Sequence, residues 1–437
     1  MKTNLLHYES LADRLGRKIQ STLIVMNLQL STRSIHLSIG WSAILAALMW
    51  GIFCQASNLR LIADEQVHAR QIAAFMNGRW ELHPLLTLPP LYHALMAIFP
   101  KVTGIDTLMA LRIFHLPLAL TFLMAFLSFC KKSAVVDFDG RLVKTLQTFG
   151  SPVFYILFFV LYADLPSLAA VFAMLSLTIA GRFRAAALFG VIATLMRQTN
   201  LIWCFLAFWW IIRSNSQGTF EIRSIWIAIR NAWPFVILFA LAAIAIAWNR
   251  GFAIGDASMH KPSFNLSNLY FFFLSSALIF LPLNIAALPD LARFIGRRWW
   301  ILLFVAGFFP VYWYTFNHDH PYNTVEFFLR NQLLMAIVDY PPWRALAYIA
   351  ISCMALIFVR EISRSKKTRE LIETFAFSLP TIILPPLIEQ RYYLVTFAIY
   401  LALRSPGKRW AEMTQIIYGF CLGGILIYHI GQFHFFL

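Results

Sequence analysis

Long apolar blocks recur along this chain at the length needed to cross a lipid bilayer, with charged residues gathered between them. Segments 36–56, 107–130, 145–163, 165–181, 231–248, 267–289, 299–316, 345–359 and 414–435 each read as a span. Two pairs, 185–196 with 201–212 and 374–388 with 392–403, have members shorter than the roughly 20 residues a span needs. They read as shallow hairpins whose turns lie inside the protein. Hydrocarbon leaves backbone polar groups no partner but one another, so only helices and closed barrels cross it. The short alternating strands of a barrel are missing from the sequence. The expected fold is therefore an all-α polytopic membrane protein with about 11–13 membrane helices. Composition agrees: 60% hydrophobic and 13% charged residues, where soluble domains have roughly 45–50% and 25%.

The formal net charge of +16 arises from 36 Lys and Arg against 20 Asp and Glu. Because the basic residues sit in loops between spans, they read as orientation signals, and no nucleic-acid partner is expected. Residues 1–35 carry Arg14, Arg17, Lys18 and Arg33 without a short apolar region and cleavage site, which reads as a retained cytosolic tail. Residues 36–437 read as one integral membrane domain. If 36–56 crosses outward, 57–106 is the first external loop. Lys131 and Lys132 must be inside again, so the apolar piece 85–100 lies as an interfacial helix and does not cross. The same parity makes 328–343 interfacial. The five cysteines are far apart and form no CxxC, which suggests neither a zinc site nor a disulfide framework.

This topology sends six polar loops to one face. They hold Asp64-Glu65 with His68, Asp164, the run from Arg197 to Asn200, the stretch from Asn249 to His260, Asn317 to Glu326, and Glu389 to Tyr392. Charged groups beside a bilayer are costly to hold and mark function by default. Carboxylates can deprotonate an acceptor hydroxyl, while Arg and His can stabilise a departing phosphate. Aromatic and proline rings such as Trp80, Pro89 and Pro90 can line a sugar or isoprenoid groove. Each element also has a plainer reading. Asp64 and Glu65 suit the first turn of a helix. Glu65 and His68 form a Glu-x-x-His spacing that occurs in metal bundles, here in a single copy. Arg197 could anchor a loop at the interface, and Glu389 with Arg391 could be a structural ion pair. His318, Asp319 and His320 could belong to a surface loop, and Asn265-Leu266-Ser267 is a glycosylation sequon close to the membrane.

The ordered set of motifs resembles the dolichyl-phosphate-glucose-dependent α-1,2-glucosyltransferases, which add the last glucose to the lipid-linked oligosaccharide of N-glycosylation. Asp64, Glu65 and His68 match the opening Asp-Glu-x-x-His. Trp80, Thr87, Pro89, Pro90 and Tyr92 match a loop tryptophan and a Thr-x-Pro-Pro segment ending in tyrosine. Arg197-Gln198-Thr199-Asn200 comes next, then Asn249, Gly251, Gly255, Asp256, Ser258 and His260, then His320-Pro321-Tyr322, and finally Glu389-Gln390-Arg391-Tyr392. The matches cover about residues 40–405 in family order. The chain departs from the pattern at Leu91, where the family has glycine, and at Gln390, where it has proline.

The resemblance implies a GT-C architecture with the active site on the luminal or periplasmic side. It implies a polyprenyl-phosphate sugar donor, a lipid-linked glycan acceptor, inversion at the anomeric carbon, and no cofactor or obligatory metal. On this reading Asp64 is the base, with Glu65 as its alternative. Arg197, His260 and Arg391 hold the donor phosphate, and Asp256 and Glu389 orient sugar hydroxyls or those cations. His68, Trp80, Tyr92, Gln198, Asn200, His320 and Tyr392 are further substrate-binding residues. A transferase acting on a bacterial glycolipid or polymer, and a transporter of lipid-linked sugar, are the alternatives. The compartment would be the endoplasmic reticulum membrane or a bacterial inner membrane.

Overall fold

The computed structural model describes residues 42, 44–55, 60–216, 222–249, 251–255, 259–325 and 331–435. The chain divides after Trp50 into two units, and helices α2 to α20 all belong to the second, Gly51–Leu437. The tail 1–35 lies outside the described residues; of the first expected span, Ile44–Gln55 is helix (α1). All regular structure among the described residues is helical, in agreement with the expected all-α class.

The segment expected to be the first external loop folds into two short helices, α2 (Glu65–Met76) and α3 (Leu91–Thr103). At 1.5 Å per residue, the 13 residues of α3 reach about 20 Å, short of the ~30 Å hydrocarbon core. Ile72 and Phe75 of α2 pack with Tyr92, Met96 and Ala97 of α3, and with Leu111, Leu161, Ala163 and Met196 from deeper elements. Burying each large side chain of this kind contributes roughly 1.5–3 kcal/mol. The α2–α3 segment is therefore a packed layer whose position is set by a core it shares with deeper elements.

Helix α4 (Leu108–Ser133) is long enough to cross, as are α17 (Pro341–Arg364) and α20 (Arg409–Gly431). Between α4 and α17 the chain forms α5 (Phe138–Gly150), α6 (Pro152–Tyr155), α7 (Asp164–Ile179), α8 (Phe183–Met196), α9 (Leu201–Asn215), α10 (Ile222–Asn231) and α11 (Trp233–Asn249). It continues through α12 (Leu266–Ile279), α13 (Leu281–Arg297), α14 (Ile301–Thr315), α15 (Pro321–Thr324) and α16 (Gln332–Asp339). Helices α18 (Thr368–Ile383) and α19 (Leu394–Leu403) lie between α17 and α20. Exposed apolar side chains such as Met124, Leu241, Trp248 and Phe304 cover the outer helix faces, as expected of a surface whose solvent is lipid. The protein is an integral membrane protein.

Two expected spans, 267–289 and 145–163, are not single straight helices, and a third, 231–248, is sharply bent away from the helix before it. The segment 267–289 divides into α12 and α13, which meet at 99°. Pro282 in the first turn of α13 cannot continue a helix through that point. Asn284 Nδ2 donates to the Ala277 carbonyl at 3.1 Å and to the Ser276 carbonyl at 3.2 Å, the latter also accepting from Phe280 N–H. The segment 231–248 forms α11, joined to α10 at 89°. The segment 145–163 breaks at extended Ser151 before Pro152 and ends in a 3-10 turn, Ile156–Phe158. Among the described residues, by length and composition alone, three helices could cross a membrane, or up to five if each bent pair counts as one span. Apolar runs overstate span length because they do not show where backbone direction changes. The two expected hairpins do form, as α8 with α9 and α18 with α19. Their turns are inside the protein, with Asn200 and Gln390 buried.

Candidate functional site

The two buried turns and the segment 63–88 enclose a cavity of about 610 Å³. Its polar end is formed by Asp64, His68, Asp164, Arg197, Glu389, Arg391 and Tyr392. The chain enters this region through Ala63, whose φ of 51° is in the left-handed region that alanine rarely adopts. Asp64 then stands at the head of α2 without using its carboxylate as a cap. Its backbone N–H donates to Tyr162 Oη at 3.1 Å, and its side chain remains 53% exposed.

Arg391 connects the polar end. Its Nη2 donates to Asp64 Oδ2 at 2.8 Å, its Nε donates to Glu389, and its guanidinium lies 4.7 Å from the Tyr162 ring centroid. Arg391 can occupy this point because Gln390–Tyr393 forms a 3-10 turn before α19. The preceding strand of chain is fixed by asparagines. Asn268 Nδ2 donates to the carbonyls of Pro385 (2.9 Å) and Leu387 (3.0 Å), and Asn265 Nδ2 to that of Pro386 (2.9 Å). Asn323 exchanges two bonds with Ile388, as a neighbouring strand would. Asn265 also caps α12 through Ser267 N–H, so the sequon asparagine is engaged within the fold.

Desolvation at the cavity wall acts to raise the Asp64 carboxyl. Arg391, with His68 and Arg197 beyond it, outweighs this and sets the group below the ordinary carboxylate range. Burial lowers the Arg197 guanidinium, with neighbouring Arg391 adding to the effect; Arg197 pairs with Asp164 through Nη1. The second oxygen of Asp164 is buried without a hydrogen-bond partner among the described residues.

Asp64 and Glu65, adjacent in sequence, have separate surroundings. Glu65 is fully buried. It receives Arg112 Nε at 3.0 Å and Nη2 at 2.5 Å, together with the backbone N–H groups of Ile62 and Leu161, both at 2.8 Å. It does not line the cavity. Its oxygens hold the external loop to α4 and to the end of the 156–163 segment. The Glu-x-x-His spacing separates in the same way, since His68 turns to His93. Among the described residues no group of three His, Cys, Asp or Glu side chains could hold a metal.

Other expected substrate residues fall into two sets. Gln198, Asn200 and His260 line the cavity with Arg197 and Tyr392. Gln198 Nε2 donates to the Thr87 carbonyl at 2.6 Å, and Asn200 Nδ2 to that of Ala193 at 2.9 Å. Trp80, Tyr92 and His320 are not cavity residues. Trp80 is exposed and rests against Phe75. Tyr92 is fully buried in the core, its hydroxyl 2.9 Å from His115 Nδ1. His320 caps α15 and bonds the Met259 carbonyl. His318 pairs with Asp339, apart from His320. Asp256 lies outside the described residues.

Sequence reasoning passed over Tyr162, which ends an apolar run read as a span, and gave Asp164 no site role. Gly255 entered only as a motif match, without a structural reason. A Cβ there would meet the Pro84 and Leu86 carbonyls at 2.4 and 2.6 Å, so the 251–255 segment can lie against the external loop only with glycine at that point.

The rest of the cavity wall is apolar. Leu168, Ile202, Phe205, Pro380, Leu384 and Pro386 extend it between α9 and α18. Phe205 and Leu384 are 42% and 41% exposed, so this arm reaches the protein surface.

A model of the DIE2/ALG10 family matches residues 59–223 and 207–402. The chain belongs to that family. The two matched stretches carry both the external loop and the Glu389–Tyr392 turn. Relatives in the family include the Dol-P-Glc:Glc(2)Man(9)GlcNAc(2)-PP-Dol alpha-1,2-glucosyltransferase of Arabidopsis thaliana, 24% identical over 65% of this chain and 70% of that protein. The Homo sapiens protein of the same name is 22% identical over 77% of this chain and 82% of its own length. The structure is also similar to crystal structures of ArnT from Cupriavidus metallidurans, apo and bound to undecaprenyl phosphate. These have TM-scores of 0.44 and 0.41 at 14% identity, covering 90% of this chain and 77% of that one.

Proposed function

We propose that the protein transfers glucose from a polyprenyl-phosphate glucose donor to a lipid-linked oligosaccharide, with inversion, forming an α-1,2 linkage. The observation that carries this reading is one cavity joining a carboxylate–guanidinium pair, Asp64 with Arg391, to an apolar arm open at the protein surface. Such a site suits a substrate whose reacting end is charged and whose tail is an isoprenoid. The names of relatives in the family support the sugar and the acceptor. The site would face the lumen of the endoplasmic reticulum or a bacterial periplasm, with residues 1–35 in the cytosol and 36–437 as one transferase domain.

In the proposed step, Asp64 takes the proton from the acceptor 2-hydroxyl as that oxygen attacks the anomeric carbon. The bond from carbon to phosphate oxygen breaks on the opposite face, and its electron pair leaves with the polyprenyl phosphate. Arg391 and Arg197, with His260 at the same cavity, stabilise the developing phosphate charge. Arg391 thus has two functions. In the free protein it keeps the Asp64 carboxylate ionised. When the donor phosphate draws on the guanidinium, the carboxylate loses part of that stabilisation and becomes a stronger base as the substrate arrives. Glu389 holds Arg391 between the two.

The test is transfer by purified protein supplied with polyprenyl-phosphate glucose and a lipid-linked oligosaccharide carrying two glucoses. The expected product is one hexose larger and resists a β-glucosidase. Product from a mannose-linked donor and none from the glucose-linked donor would overturn the assignment.

A further inference from the structure

Behind His68 lies a second histidine that this scheme does not use. His93, in the first turn of α3, is fully buried, with Nε2 2.7 Å from His68 Nδ1. The ring planes lie within 24° of one another and the centroids are 5.0 Å apart, so the two nitrogens meet edge to edge. The other His93 nitrogen, Nδ1, is also buried and has no hydrogen-bond partner among the described residues. His68 lines the cavity, and its Nδ1 is the nitrogen committed to His93.

That asymmetry selects the tautomers. Burial lowers the His93 imidazole well below its ordinary value and pushes His68 down to about 4, so both rings are neutral at pH 7. Two neutral imidazoles in contact share one N–H at the contact. If His68 supplied it, His93 would carry its own proton on Nδ1, leaving a buried donor without an acceptor. If His93 supplies it from Nε2, its Nδ1 is a bare lone pair. Buried donors without acceptors are rarer in native structures than under-used acceptors. In the favoured arrangement His68 Nδ1 accepts, and the His68 proton is on Nε2.

We propose that His93 is a positioning residue that fixes His68 as the Nε2–H tautomer, so that a neutral hydrogen-bond donor meets a substrate oxygen beside Asp64. The oxygen belongs to a sugar hydroxyl or to the donor phosphate. A neutral His68 with its proton on Nε2 cannot act as the base there, which leaves that task to Asp64. The identity of the substrate rests on the proposed glucosyl transfer, while the tautomer itself does not.

Two measurements test it. In protein labelled with 15N-histidine, the His68 signal is the one lost in His68→Gln, and its two-bond proton–nitrogen pattern distinguishes Nε2–H from Nδ1–H. Nε2–H is expected in the wild type at pH 7, and Nδ1–H would overturn the proposal. This readout holds whether or not glucose is the sugar transferred. In the transfer assay, His93→Gln, whose amide reaches the place of Nε2, should keep kcat/KM within about threefold. His93→Asn, whose amide stops near the place of Nδ1, and His93→Leu should lose about tenfold to a hundredfold. A loss in KM for the lipid donor would identify the phosphate oxygen, and a loss in KM for the glycan would identify the hydroxyl. Should the Leu protein fail to fold, the Gln and Asn pair carries the comparison. Equal activities of Gln and Asn would overturn the proposal.

Discussion

Two clusters of arginine and carboxylate in this molecule look alike in sequence and differ in what they can do. At the end of α19, Arg404 and Glu412 form a buried pair. Glu412 accepts from Arg404 Nη1 (2.8 Å) and Nη2 (2.5 Å), Gln147 Nε2 (2.7 Å) and Gly407 N–H (2.6 Å). Lys144 Nζ lies alongside, donating to the carbonyls of Leu401, Ala402 and Arg404. At the other cluster, Arg391 divides itself between Asp64 and Glu389, and Asp64 stays half exposed on a cavity wall. The first cluster commits its hydrogen bonds to its own side chains and to backbone carbonyls, and seals a junction of α5, α19 and α20. The second keeps capacity in reserve. Charge beside a membrane therefore marks importance without saying which kind, and unused hydrogen-bonding capacity facing a cavity separates chemistry from architecture.

Substitutions can break this contrast, beginning with the largest effect. Asp64→Asn keeps the shape and removes the base, so transfer should fall by about 10²–10⁴ while the thermal midpoint in detergent changes little. Near-normal turnover would remove Asp64 from the mechanism.

Arg391→Gln should lower kcat/KM about a hundredfold by weakening phosphate stabilisation. It should also move the acid limb of the rate profile. In the folded protein the Asp64 carboxyl lies below its unfolded value of 3.8. The associated stability is present above that value and is lost as pH falls through the lower, folded one. Without Arg391 the carboxyl rises, and the acid limb of the residual activity should shift to higher pH. An unmoved limb would break the link between the two groups.

Gly255→Ala forces a methyl against two carbonyls of the external loop. It should reduce transfer roughly tenfold through a displaced cavity wall, with strain of about 1–3 kcal/mol. Unchanged kinetics would show that the 251–255 segment does not shape the site.

The smallest expected effect on transfer sharpens the other side of the contrast. Glu412→Gln leaves Arg404 charged and buried, which should cost about 3–5 kcal/mol of stability. The thermal midpoint and yield should fall while transfer per folded molecule stays near wild type. Loss of turnover at full stability would mean that the sealed cluster takes part in the chemistry.

Much of the site was legible in the sequence because the residues that converge are those whose presence in a membrane chain is costly. Arg197 and Arg391 occupy short loops between apolar segments, and such loops leave a charged side chain few places to go. Trp80 and Tyr92 carried the same motif signal and stand elsewhere, since a motif shows proximity along the chain and does not show which way a helix presents its face. Asn268 and Asn323 gave no signal of their structural role, and Asn265 stood out only as a sequon. An amide that replaces a strand partner looks like any loop asparagine until the chain it holds is seen.

By itself, the sequence determined that this protein is helical and membrane-embedded, because apolar length and backbone hydrogen bonding leave a chain of this composition no other solution in lipid. It also determined the set of polar loops from which a site had to be built. Only the tertiary structure decided that α12 and α13 bend apart where one span was expected, since a proline's effect depends on whether a side chain such as Asn284 can reach the carbonyls at the break. It likewise separated Asp64 from Glu65. One peptide unit apart at the start of a helix, two carboxylates point along different directions. One meets Arg112 in the core, and the other meets Arg391 at the cavity.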